Sequence, residues 1–301
     1  MALWSSAQSD VFLSTFNISN VLTQVTPLLV VAAGQTFVVA SGGLDLSVGA
    51  TVSLASVIAA TSFDTHTVPV TLVMVLAVAL TIGAVNGIAV SAGLNPFLVT
   101  LASLSIVQGL AFTVLDTPGG HVPDGFGEIA GYWGPAPVAL PLITVLAALA
   151  SLVLHRTKTG THIVAVGGDI EVARVSGVLI TRSQIWPYVL SALGAAIAGL
   201  FIVARIRAGS PTIGDSFTLD SLAAVVLGGS MLGGGRATMF GSVVGALSLG
   251  LLANSLNLLG ISSFYQTPVK GLVLIIAVLV PNALGLLVDR QRRIHAAHRA
   301  T

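Results

Sequence analysis

The sequence predicts an all-α polytopic membrane protein, with about eight or nine transmembrane helices and one helix broken near the Gly42–Gly49 motif. Three observations carry this. Of the 301 residues, 54% are apolar and 8% charged, where an ordinary soluble domain carries roughly 25% charged residues. Mean hydropathy is +0.98. Long apolar stretches recur along the chain without the polar/apolar alternation of a membrane β-barrel. Twelve Lys+Arg and 11 Asp+Glu, for a net charge of +1, cannot clothe a soluble globule of this size. A cytosolic enzyme, a nucleic-acid binder and a disordered protein are thereby excluded. The chain has no cysteine, so a disulfide framework, Cys-ligated zinc and iron–sulfur clusters are excluded too.

The elements follow from bilayer dimensions. A hydrocarbon core of about 30 Å needs about 20 apolar residues of helix, and backbone in lipid must satisfy its own hydrogen bonds. Apolar stretches run near 22–40, 46–62, 68–92, 95–115, 138–154, 187–204, 239–258 and 269–288, with a shorter one at 219–233 that ends in glycines. Residues 1–301 thus read as a single transmembrane domain. The spacings Gly83-x-x-x-Gly87 and Gly241-x-x-x-Gly245 predict close helix contacts.

Charge sets the expected orientation. Six acids but no Lys or Arg precede Arg156. The basic residues then come in groups: Arg156, Lys158, Arg174 and Arg182, and later Arg290, Arg292, Arg293 and Arg299. Short loops rich in Lys and Arg stay on the cytoplasmic side, which places the 156–184 loop and the 289–301 tail inside. Walking outward from that loop places 116–137, 205–217 and 259–268 outside and leaves the N-terminus outside. The short 219–233 segment is either re-entrant, which would put the tail outside, or a crossing, which the charge rule favours. Nine of the 12 basic residues then lie inside, and Arg205, Arg207 and Lys270 are the exceptions. Arg205 and Arg207 either dock a soluble partner or snorkel to the outer headgroups.

Three segments carry local signals. In Gly42-Gly43-Leu44-Asp45-Leu46-Ser47-Val48-Gly49, the carboxylate costs a few kcal/mol in a membrane unless paired or wet. The glycines predict a break whose freed groups line a cavity or cap the next helix. Asp45 is either that cap, accepting from free N–H groups, or a pathway residue. In the 156–178 segment, Asp169 is a natural N-cap and Gly177 a natural stop around a two-turn helix. That helix carries Glu171 and Arg174 at i, i+3 and reads as a solvated linker or as a grip for a soluble partner. In Leu219–Arg236, five glycines in eight residues invite a break or close packing. No G-x-x-x-x-G-K-[ST] follows, and the lysines are Lys158 and Lys270. The chain has no nucleotide-hydrolysing loop, so any ATP-driven work falls to another chain. The six histidines form no H-E-x-x-H pairing and no G-x-S-x-G elbow occurs, which leaves an intramembrane enzyme without support.

Taken together the segments change the reading. The chain resembles the permease subunits of bacterial ribose-type (monosaccharide) ABC importers, in the branched-chain amino acid/sugar permease superfamily. The likeness rests on Gly42 to Gly49, on Asn95-Pro96-Phe97-Leu98-Val99-Thr100-Leu101, on the segment Ala165 to Val178, and on Ala223 to Gly229 followed by Gly234-Gly235-Arg236. Tyr265-Gln266 and Lys270-Gly271 add to it. It covers roughly residues 17–280. The resemblance implies a multi-pass protein of the bacterial plasma (inner) membrane, in contact with lipid and not with nucleic acid. A second permease copy or a paralogue completes the pore. Cytoplasmic ABC ATPases hold ATP and Mg, so this chain binds no cofactor or metal itself, and an extracytoplasmic sugar-binding protein delivers the solute. On this likeness Gly42, Gly43, Asp45, Ser47, Asn95 and Phe97 shape the translocation pathway. Gly168, Asp169, Glu171, Ala173, Arg174 and Gly177 form the coupling segment that seats in the ATPase. Arg205 and Arg207 are the binding-protein docking candidates.

The departures are specific. Relatives carry a further hydrophobic helix before the segment at Phe16–Asn20, whereas Met1–Thr15 is too short and polar to span, so a truncated start is expected. Ala237 stands where relatives often have glycine. Ile170 and Val172 replace more polar residues of the coupling segment, and Pro281-Asn282-Ala283 interrupts the last span, where proline would kink it. The alternatives are a permease for another small solute (a nucleoside, a branched-chain amino acid, a signalling sugar) or a stand-alone secondary transporter. A stand-alone transporter should show an ion-coupling carboxylate or paired broken helices.

Overall fold

A computed structural model describes residues 12–262 together with 265, 266, 268, 269, 271, 272 and 275. Residues before Phe12, most of the predicted span at 269–288 with its Pro281-Asn282-Ala283 interruption, and the 289–301 tail lie outside the described residues.

The described chain is almost entirely helical. In order come α1 (Thr15–Ala40), α2 (Val48–Ser62), α3 (Val68–Ser91), α4 (Pro96–Val114), α5 (Asp124–Gly127, a single turn), α6 (Ala139–Arg156), α7 (Lys158–Gly168), α8 (Ile170–Val175), α9 (Ile180–Ile206), α10 (Asp215–Leu227) and α11 (Met239–Leu258). A two-residue hairpin pairs Tyr132–Trp133 with Ala136–Pro137. Six of these helices (α1, α3, α4, α6, α9 and α11) are long and apolar enough to cross a membrane, and α2 is a shorter apolar helix. The protein is an all-α polytopic membrane protein.

The helices divide into an inner and an outer set. Most of α1 and α9 is buried, while only about a fifth of α3, α4 and α6 is. The outward residues are mostly apolar, among them Val73, Val85, Ile106 and Leu149, as suits a lipid-facing surface, since lipid tails are as apolar as leucine. Glycines set the close approaches. A Cβ on Gly83 would come 2.6 Å from the Tyr188 carbonyl oxygen, and one on Gly87 would come 2.7 Å from the Ile185 Cα, so α3 lies backbone to backbone on α9. Gly245 abuts Ala224 and Gly241 abuts Gly228, which seats α11 on α10 and on the turn after it. Both predicted small-residue spacings are therefore helix contacts.

The two ends of the bundle differ. At one end the 116–137 loop folds over α2 and α9. Gly119 and Gly209 exchange backbone hydrogen bonds of 2.9 and 2.7 Å, and the His121 N–H donates to the Ala60 carbonyl. The Phe63 and Phe126 rings meet tilted by 50°, their centroids 4.9 Å apart, and the Ser19 hydroxyl meets the Pro135 carbonyl. At the other end sit α7 and α8.

One expectation is corrected. The 205–217 segment is not wholly an external loop. After Gly209 it runs without helix down the side of α2 and α4, and Gly214 already lies against Gly49. The 219–233 segment stops being helical at its glycines, one of the two outcomes its composition invites. α10 has 13 residues, and the glycines after it form a turn.

Candidate functional site

The 41–47 break between α1 and α2 is held by one donor from each of five helices. Gln35 Nε2 of α1 donates to the Asp45 carbonyl at 3.3 Å. Asn86 Nδ2 of α3 donates to Ser47 Oγ at 3.0 Å. Thr100 Oγ1 of α4 donates to the Leu44 carbonyl at 3.2 Å. Ser191 Oγ of α9 donates to Asp45 Oδ2 at 2.8 Å, and Thr218 Oγ1 of α10 donates to the Leu46 carbonyl at 3.3 Å. Asp45 Oδ1 also accepts from the Ser47 N–H at 2.9 Å and from Ser47 Oγ at 2.6 Å. Backbone freed from a helix in an apolar medium must find partners, and here side chains supply them. Asp45 stands two residues before Ser47, the residue that precedes α2 and makes no side-chain capping bond itself. Its carboxylate folds the chain into the helix start by a local turn of the Asx type. It is 1% exposed, enclosed by protein.

The three glycine-bearing segments meet at one point, at the α7–α8 end. Gly42 has φ +81°, Gly234 +82° and Gly235 +72°, conformations that L side chains rarely adopt. A Cβ on Gly234 would stand 2.5 Å from the Gly167 carbonyl oxygen and 2.6 Å from the Gly42 Cα. One on Gly235 would stand 2.7 Å from the Gly168 Cα. The Gly235 N–H donates to the Ala40 carbonyl at 3.1 Å. The break after α1, the end of α7 and the turn after α10 thus touch through main chain alone. A cavity of about 250 Å³ opens beside this junction, lined by Gly42, Gly43, Gly168, Asp169, Gln184 and Tyr188. Tyr188 is almost fully buried, and its hydroxyl comes so near Gly43 that no side chain fits there.

α8 leads directly out of the junction. Asp169 caps it, accepting from the N–H groups of Glu171 at 2.9 Å and Val172 at 3.0 Å. Gly177, with φ +79°, stops it. Glu171 and Arg174 pair at 2.7 Å, and both side chains are more than half exposed. Ala173 is buried, while Val172 and Val175 are exposed. Six residues are too few for a stable isolated helix, so the cap, the stop and the buried Ala173 hold it in place. The result is a short, outward-pointing helix with an ion pair and two bare valines.

The remaining candidates lie elsewhere. Asn95 caps α4 by accepting from the Phe97 N–H at 2.9 Å, and Phe97 faces outward. Neither joins the Asp45 cluster. Arg207 adopts φ 59° at the end of α9 and pairs with Asp124 at 3.1 Å, so its charge already has a partner in the 116–137 loop. Arg205 is exposed beside it. Gln35, Asn86, Tyr188, Ser191 and Gly167 belong to the site but are not singled out by sequence. Their signal is a polar or glycine residue inside an apolar span.

Residues 17–278 match the family described as branched-chain amino acid transport system / permease component. The chain is 40% identical over 280 residues to the ribose import permease protein RbsC of Bacillus subtilis (strain 168), covering 89% of this chain and 85% of the relative. It is 38% identical over 289 residues to RbsC of Escherichia coli (strain K12), covering 92% and 89%. It is 31% identical over 299 residues to the galactose/methyl galactoside import permease protein MglC of Haemophilus influenzae, covering 92% and 89%. No solved structure matches it. With six helices long and apolar enough to cross a membrane among the described residues, and a match over residues 17–278, the chain belongs to the family of branched-chain amino acid transport system permease components.

Proposed function

We propose that this protein is the pore-forming permease subunit of an ATP-binding-cassette importer that moves a monosaccharide or related neutral polar solute into the cell. The observation that carries the reading is the glycine junction, which ties exposed α8 on one side to the fastened break at Asp45 on the other. A rigid main-chain contact of this kind passes a push on α8 into the helix break, which is what an ATPase partner needs. The names of the relatives, ribose and galactose import permeases, support a sugar as the solute. In this reading α7 and α8 face the cytoplasm and seat in an ABC ATPase that holds ATP and Mg. A second permease copy or a paralogue completes the pore, and an extracytoplasmic sugar-binding protein delivers the solute. The protein resides in the bacterial inner membrane with eight or nine crossings, and α1 and α2 form the broken pair. Gly168, Asp169, Glu171, Ala173, Arg174 and Gly177 act in coupling.

The test is the double variant Glu171→Ala with Arg174→Ala. Uptake of the sugar into proteoliposomes should be lost, and the ATPase should co-purify less. Unchanged uptake and co-purification would overturn the coupling role. The family description favours a branched-chain amino acid as the second reading. Competition of labelled ribose uptake by free leucine, delivered with its own binding protein, separates the two.

A further inference from the structure

The 209–214 segment runs without helix well inside the bundle. The Ser210 N–H donates to Ser56 Oγ at 3.2 Å, and Ser56 Oγ donates back to the Ser210 carbonyl at 3.0 Å. Gln108 Nε2 donates to the Pro211 carbonyl at 2.6 Å, and the Gly214 N–H donates to Ser53 Oγ at 2.9 Å. These partners measure depth. Gln108 lies six residues from the end of α4 at Val114, and Ser53 lies nine from the end of α2 at Ser62. At 1.5 Å per residue these are about 9 and 13 Å from that end of the bundle. A hydrocarbon core is about 30 Å thick, so Gly214 sits close to its middle and α10 starts there.

This segment has an inner and an outer side. Gly209, Ser210, Pro211, Gly214 and Thr218 are buried against α2 and α4, while Thr212, Asp215, Ser216 and Leu219 are exposed. Non-helical backbone at membrane depth is tolerated where it is buried in protein or lines a water-filled cavity, but not against lipid. A carboxylate such as that of Asp215 at this depth also demands water or a partner. The exposed faces of α3, α4 and α6, by contrast, are helical and mostly apolar, and their exposed hydroxyls (Thr81, Ser105, Thr113 and Thr144) donate to carbonyls of their own helices. The exposed side of this segment therefore calls for water rather than lipid.

We propose that Thr212, Asp215, Ser216 and Leu219 form one wall of the water-filled conduit through which the solute crosses, which rests on the permease reading above. The buried Asp45 cluster, in this view, fastens the scaffold behind the wall rather than lining it. Two hydroxyls and a carboxylate suit neutral, hydroxyl-bearing solutes and disfavour anions.

The absence of native cysteine makes the test direct. Ser216→Cys and Thr212→Cys would be made singly, with Val85→Cys on the outward face of α3 as the lipid-facing reference and Val175→Cys on α8 as the water-facing one. A membrane-impermeant charged thiosulfonate is applied to both faces of the membrane, with labelling after denaturation as the total. Thiolate forms in water and not in lipid, so Ser216→Cys and Thr212→Cys should react at least roughly tenfold faster than Val85→Cys. If Ser216→Cys reacts no faster than Val85→Cys, the proposal is overturned. The experiment reads water and not sugar, so a labelled protein without sugar uptake would count against the permease reading and not against the conduit wall.

Discussion

Replacing Gly234 by alanine tests the glycine junction most directly, because its neighbour supplies the control. At Gly234 two costs combine. Its φ of +82° places an L side chain in a conformation that costs about 1–2 kcal/mol. The added Cβ would stand 2.5 Å from the Gly167 carbonyl oxygen and 2.6 Å from the Gly42 Cα, both main-chain atoms that no side-chain rotation relieves. Overpacking of that kind costs about 1–3 kcal/mol. The sum is about 2–5 kcal/mol, and at about 2 °C per kcal/mol for a chain of this length it lowers the unfolding temperature by about 4–10 °C. Gly233 has no positive φ, and its added Cβ would meet nothing within 4 Å. Thermal unfolding of the detergent-solubilised Gly234→Ala and Gly233→Ala proteins should therefore separate them clearly, with Gly233→Ala close to the parent. In proteoliposomes Gly234→Ala should also uncouple sugar uptake from ATP hydrolysis. Equal unfolding temperatures and equal uptake for the two variants would refute a tight main-chain junction.

Further outcomes follow from the same packing. Asp45→Ala should be less stable than Asp45→Asn by about 1–3 kcal/mol in thermal unfolding, since the amide keeps an acceptor for the Ser47 N–H, and an alanine variant as stable as the asparagine one would contradict the fastening role. Asn17 and Asn254 exchange amide hydrogen bonds of 3.1 and 3.0 Å in a buried pair that joins the start of α1 to α11. A double-alanine cycle should be sub-additive by about 0.5–3 kcal/mol, and strict additivity would mean the pair is not coupled. Arg207 is partnered by exposed Asp124, and exposed ion pairs contribute little to stability. Charge reversal at Arg205 and Arg207 should thus leave the unfolding temperature unchanged while raising the half-saturation of uptake for the loaded binding protein. An unchanged uptake curve would remove these arginines from docking.

Much of the fold is legible along the chain because each feature is local. The α8 helix is an example: an aspartate, two turns, and a glycine that ends it follow from spacing alone. The small-residue pairs at Gly83 and Gly241 likewise announce helix contacts, though not with which helix. The Asp45 motif announces a break. Its fastening is less legible, because the five donors come from positions as far apart as Gln35 and Thr218, and a single serine or threonine in an apolar run also serves many bland purposes. Asn95 shows the converse, a motif residue whose visible work is a local helix cap.

The sequence by itself determined that this is a helical membrane protein with a glycine-flanked aspartate turn, a short exposed helix at a basic loop, and no G-x-x-x-x-G-K-[ST] loop. Those properties depend on composition and on neighbours within a few residues. Only the tertiary structure decided that the three glycine segments touch, that Asp45 is enclosed, and that the chain after Gly209 descends into the bundle. Each is a contact between residues far apart in sequence, and an apolar chain offers many equivalent pairings until helix packing selects one. The 209–214 segment shows the reason most plainly. It reads as a polar external loop, and it descends into the bundle because Ser53, Ser56 and Gln108, on two other helices, satisfy its backbone there.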